Sequence, residues 1–159
     1  KYYHLMGVFT DVAIYTELRK RFGYLVNGGN GISSPQQTEM KTDKLKAELG
    51  KYGFFELPKV KQLSEPNKQS LIELINTNGL PYSIAMFDFL DFLEHIGNEH
   101  FKTKYQLNKG VAKWFNSDKE GRAVKGNISS LSDYSAENKS KYTAHTHKEN
   151  VKKDYEKLK

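Results

Sequence analysis

The chain has no cysteine, which excludes a disulfide framework and every zinc site built on thiolates. This fits a reducing compartment, and a cytoplasmic location is expected. Long apolar runs are missing as well. The richest stretch, Ile84 to Ile96, is interrupted by Asp88, Asp91 and Glu94 and is too short to cross a bilayer. No signal-peptide pattern is present, so no membrane partner is expected. Proline is scarce, with 4 residues in 159, and each one therefore reads as a helix start or a helix break. The glycines at 28, 29 and 31 lack the Lys-Ser/Thr of a P-loop and the spacing of a dinucleotide-binding turn. A Gly-x-Ser-x-Gly elbow is missing too. Nothing here seats a nucleophile, so neither an enzymatic activity nor a cofactor is expected.

Aromatic residues, in contrast, are plentiful. The 10 Tyr and 9 Phe supply enough burial to offset chain entropy, which argues for a folded protein despite the polar composition. A chain of 159 residues makes one domain or two small ones with a core of their own. Its charge is unevenly spread. Residues 102–159 carry 14 Lys+Arg against 7 Asp+Glu, net +7, while residues 1–101 carry 11 against 12, net −1. A cationic segment of this kind calls for an electronegative partner, nucleic acid first. The composition shift at His100–Lys104 is the candidate boundary. It divides a helical N-terminal domain, 1–101, serving support or dimerisation, from a basic C-terminal part, 102–159.

Apolar periodicity predicts a mostly α fold. Helices are expected at 4–22, from Pro35 to about Leu49, at 65–77 and at 81–96. Residues 23–34 read as a glycine-rich loop or hairpin tip. Ser34-Pro35-Gln36-Gln37 and Ser64-Glu65-Pro66 are helix starts. Residues 54–63 are expected to be extended, with Pro58 blocking a helix. The helix at 81–96 is apolar round most of its circumference, which places it at the centre of the fold.

The basic part contains a helix–turn–helix-like stretch, Leu107 to Leu131. Its first helix, Tyr105 to Phe115, carries Leu107, Val111, Trp114 and Phe115 on one face. Ser117-Asp118-Lys119-Glu120 reads as a capping box, with Ser117 as the cap and Glu120 reaching back. The second helix, about 118–131, buries Val124, Ile128 and Leu131. Arg122, Lys125 and Ser129 then share an outward face. Arg reads guanine, Ser serves base edge or phosphate, and Lys neutralises phosphate. Asn127 borders this face and is the residue type that reads adenine. Gly126 leaves room for a DNA backbone. Lys113, Lys139 and Lys141 are expected to hold phosphates, the last two from a wing at 132–142. The terminal segment 143–159 reads as a basic helix with Val151, Tyr155 and Leu158 as its apolar edge.

Other constellations are weaker. Glu94, His95, Glu99 and His100 sit close together, but the i, i+5 spacing of the histidines across Gly97 splits the faces of a regular helix, whereas helical metal ligands favour i, i+4. His145 and His147 are two apart. With no third and fourth ligand evident, no metal is expected. Asp88 and Asp91 at i, i+3 have a spacing suited to acid–base work, but read as the solvent strip of a buried helix.

Over residues 67–159 the order of features resembles the RteC regulators of conjugative-transposon excision. The resemblance rests on Asn67–Leu80 (NKQSLIELINTNGL), on Trp114-Phe115-Asn116 closing a helix, and on Asn138-Lys139-Ser140-Lys141-Tyr142 after the recognition-type helix. A charged C-terminal helix completes it. Residues 1–66 take no part. The resemblance implies a winged-helix domain that binds double-stranded DNA at a mobile element's promoter. Such proteins commonly act as homodimers on two half-sites. The expectation is therefore a DNA-binding transcriptional regulator whose affinity falls about 10³-fold or more between roughly 50 and 200 mM salt. The alternative is a helical protein-interaction module whose basic surface meets an acidic protein.

Overall fold

The computed structural model describes the backbone of residues 35–132 and 135–159, and side chains from residue 41 onward outside the same gap. The expected helix at 4–22, the glycine loop at 23–34 and the Ser34 cap lie outside the described residues. Among the described residues every regular element is helical. Residues 40–159 form one compact unit.

Helix α1, Pro35–Lys51, starts at a proline as expected. Residues 54–63 are not extended. A 3-10 turn, Phe54–Glu56, leads into the short helix α2, Pro58–Lys61. Pro58 opens α2 instead of blocking it, because its missing N–H falls where a helix has no partner for one. Phe54, Leu57, Val60 and Leu63 are all buried. Their spacing of three is helical, not the alternation of a strand.

Ser64 caps α3, Glu65–Thr77, by accepting from the Asn67 amide at 3.4 Å. The stretch expected as one helix at 81–96 is two: α4, Gly79–Phe89, and α5, Phe92–Glu99. Asp91 turns left-handed between them, with φ 63°. Lys59 makes the break tenable. Its Nζ donates to the Phe89 carbonyl, which the break leaves without a helical partner, and pairs with Asp91 Oδ2 at 2.7 Å. Tyr82 through Phe87 are buried without interruption, so α4 is central as its apolar circumference predicts.

Thr103 caps α6, Lys104–Trp114. Then follow α7, Arg122–Ser132, α8, Ala136–Lys141, a 3-10 turn at Ala144–His147, and α9, Lys148–Glu156. Helix α4 packs against α3 and α5 and also against α7, the second 3-10 turn and α9. Packing therefore runs straight across the composition shift at 100–104. Phe54, Phe87, Phe92 and Trp114 meet around it, with Phe54 edge-on to Phe92 at 5.0 Å and Phe92 stacked on Trp114 at 6.0 Å.

The C-terminal helix is tied to the first half of this unit. The buried Tyr155 hydroxyl donates to the Lys59 carbonyl at 2.7 Å and accepts from Gln62. The Tyr82 hydroxyl donates to Asp154 at 3.0 Å. Burial and the neighbouring Asp154 carboxylate push the Tyr82 hydroxyl well above the usual tyrosine range. Among the described residues no helix is long and apolar enough to cross a membrane.

Candidate nucleic-acid interface

Helices α6 and α7 pack on each other, and Leu107, Val111 and Ala112 of the first and Val124 of the second are buried in the shared core. Residues 115–121 connect them. Asn116, at φ 48°, and Gly121, at φ 69°, both take left-handed backbone there. Gly121 is required for a second reason. A Cβ at this position would lie 2.7 Å from the Asn108 carbonyl carbon and oxygen. The start of α7 therefore rests directly on the backbone of α6.

The expected capping box does not form. Helix α7 begins at Arg122, later than expected, and Asp118 caps it. Its Oδ1 accepts from the Arg122 amide at 2.8 Å and its Oδ2 from the Ala123 amide at 2.9 Å. These donors, Ala123 foremost, hold the Asp118 carboxyl below the usual aspartate range. Glu120 faces the other way, accepting from Tyr105 at 2.8 Å with Lys109 at 3.8 Å. The cap has an electrostatic consequence. A free helix N-terminus attracts phosphate, but here a carboxylate already fills it. Two exposed carboxylates, Asp118 and Glu120, thus stand at the start of α7 beside the cations Lys119 and Arg122.

Arg122 and Lys125 are exposed on the outer strip of α7. Among the described residues neither forms an ion pair. Ser129 is half-buried beside them. Arg122 also shares a shallow concavity of mixed charge with Asp118, Lys119, Glu120, Ala123 and Tyr142. Lys119 was hidden in the sequence because residues 118–121 read as the first turn of a longer helix.

Asn127 is not on this face. It is 4% exposed, its amide group donates to the Ala123 carbonyl at 2.9 Å, and its oxygen accepts from the Ala144 amide at 3.2 Å. It staples the 3-10 turn to α7, and its burial keeps it from reaching a base edge. Gly126 does not make room for DNA either. A Cβ there would sit 2.2 Å from the Tyr142 ring, so the missing side chain seats that tyrosine. Tyr142 in turn carries Lys141 Nζ 5.6 Å over its ring. Lys139 is half-buried on α8 and Lys141 is exposed there. The described part of the expected wing, 135–141, is thus a capped helix, with no strand.

Lys113 is set apart. It lines a different cleft, about 1060 Å³ in volume, with Lys41, Lys44, Tyr52, Trp114 and Phe115. The structure therefore brings Arg122, Lys125 and Lys141 to the surface around α7 and α8, withdraws Asn127, and puts Lys113 elsewhere. Compared with family models, curated proteins and solved structures, the chain matches none.

Proposed function

We propose that the protein is a DNA-binding regulator that meets the duplex along α7. The observation that carries this reading is the pair of exposed cations, Arg122 and Lys125, one turn apart on the second of two packed helices; among the described residues neither side chain forms an ion pair, although Arg122 lies near enough to the Asp118 carboxylate to act on its charge. An exposed cation held in water by no partner is ready to replace a counterion on phosphate. Arg122, nearer the start of α7, is placed as recognition-helix residues that meet base edges are. Lys119 and Lys141 extend the cationic surface to either side. The exposed strip of α7 is narrow, because Tyr142 covers Gly126 and Asn127 faces inward. Backbone contacts then outnumber base contacts, and sequence preference is modest for a single chain. Two copies on paired half-sites would raise it, and the family resemblance over 67–159 favours that arrangement at a mobile element's promoter. The reading needs no cofactor and no catalytic step.

The test is fluorescence anisotropy on mixed-sequence duplexes at about 50 and 200 mM salt. The wild-type chain is expected to bind at the lower salt and to weaken steeply at the higher. The double charge reversal Arg122→Glu with Lys125→Glu is expected to abolish binding with an unchanged circular dichroism spectrum. Retained affinity in that variant removes α7 from the interface. No binding by the wild type at low salt favours the protein-interaction module instead.

A further inference from the structure

The strongest unassigned chemistry lies at the end of α5. We infer that His95, Glu99 and His100 form a binding site for a zinc-class divalent cation. The inference is independent of duplex binding. One donor atom from each of the three residues lies within 4.8 Å of the other two.

The sequence argues against this cluster, and the backbone shows why that argument fails. On a continuous α-helix residue i+5 points about 140° away from residue i. Helix α5 does not continue. The Ile96 carbonyl accepts from both the His100 and the Phe101 amides, each at 3.0 Å. The second of these bonds spans five residues, so the last turn is wider than an α turn. His100 is the residue that closes the helix, still right-handed but stretched, at φ −118° and ψ −27°. Its ring comes to 5.8 Å from the His95 ring, at an interplanar angle of 68°. Glu99, one ordinary turn beyond His95, already shares that face. Its Oε1 lies 3.8 Å from His95 Nδ1.

The surroundings orient the donors. Tyr52 meets the His100 ring edge-on at 5.2 Å. The His95 ring lies against Phe92 at 6.4 Å. Its Nε2 is buried with no hydrogen-bond partner, and it faces Gly53, where an added Cβ would stand 2.8 Å away. The ring is thus not held in place by a structural hydrogen bond at Nε2. Its polar outlet is Nδ1, on the Glu99 side.

Two imidazoles and one carboxylate are a donor set suited to zinc, with a fourth position left for water. Bonds of about 2.0–2.2 Å place tetrahedral ligand atoms about 3.3–3.5 Å apart. Closing from 4.8 Å requires only rotations of Glu99 and His100, which are both exposed.

The test uses the full chain without an affinity tag. Isothermal titration with Zn²⁺, and visible absorption with Co²⁺ as the spectroscopic substitute, should show one site. His100→Ala and Glu99→Gln change exposed side chains, so the fold should persist by circular dichroism. Each is expected to weaken Zn²⁺ by at least about tenfold and to bleach the Co²⁺ bands. The double variant His145→Ala with His147→Ala should bind as the wild type does. Absence of a micromolar Zn²⁺ site in the wild-type chain overturns the inference. So does wild-type affinity in His100→Ala, which would place the ion elsewhere.

Discussion

At the scale of single residues, three positions on α7 and its approach separate packing from recognition. Gly121 and Gly126 are both glycines at crowded places, but the crowding differs in kind. At Gly121 the neighbour is the Asn108 backbone, and φ is 69°. Neither the backbone contact nor the left-handed conformation yields to a side-chain rotation. Gly121→Ala should therefore cost about 2 kcal/mol or more, read from urea denaturation. At Gly126 the neighbour is the outer edge of the Tyr142 ring, which can swing away. Alanine also gains about 1 kcal/mol of helix propensity. Gly126→Ala should lie within about 1 kcal/mol of the wild type while releasing Tyr142, seen as a change in tyrosine fluorescence. Asn127 is the third position. Asn127→Ala leaves the buried Ala144 amide without its acceptor, at a cost of about 1–3 kcal/mol in the same denaturation assay. The polarity of Asn127 was plain in the sequence. Its role was not, because its partner is 17 residues further on in a turn that periodicity does not reveal.

At the scale of elements, α7 depends on a cap supplied from outside the helix. Asp118 is charged when it accepts from Arg122 and Ala123, and its folded pKa is lowered. A group with a depressed folded pKa stabilises the fold above its unfolded value, and that contribution is lost as pH falls through the folded value. The window opens near the ordinary aspartate value, about 3.9, and extends below it. Asp118→Asn keeps an acceptor but not the charge. Its stability curve should run closer to flat across that acid window than the wild-type curve, when urea midpoints are compared from pH 6 downward. The element boundaries show how far local signals reach. Ser64 and Pro66 marked the start of α3, and Pro35 that of α1, because caps and N1 prolines act within one turn. The break between α4 and α5 was not legible, since it depends on Lys59 reaching Phe89 and Asp91 from about thirty residues away. The widened last turn of α5 escaped for a different reason: it rests on a local bond from the Phe101 amide to the Ile96 carbonyl, which apolar periodicity does not mark, and the meeting of His95 and His100 was hidden with it.

For the whole molecule, the charge map and the packing map do not coincide. The net positive charge lies beyond residue 101, yet α4, at the centre of the core, is covered from that same region by α7 and α9. Charge was readable from composition because it needs no partner. The packing was not, because the anchors join distant residues: Tyr155 to Lys59 and Gln62, Tyr82 to Asp154, and Asn67 to the Leu158 carbonyl at 2.6 Å. The lysines of α9 are solvated while Val151 and Tyr155 are fully buried. The last helix therefore serves the core more than the cationic surface, and two changes should separate the roles. Lys152→Gln with Lys153→Gln alters charge alone, and should leave stability within about 0.5 kcal/mol. Deleting residues 148–159 strips Val151 and Tyr155 from the core and leaves Tyr82 and Phe89 uncovered. The expected outcome is loss of the cooperative urea transition, with rapid amide exchange through α4. A truncated chain that still unfolds cooperatively would mean that α4 holds its place without the C-terminal helix, and that the bonds to Tyr155 and Asp154 secure only the tail.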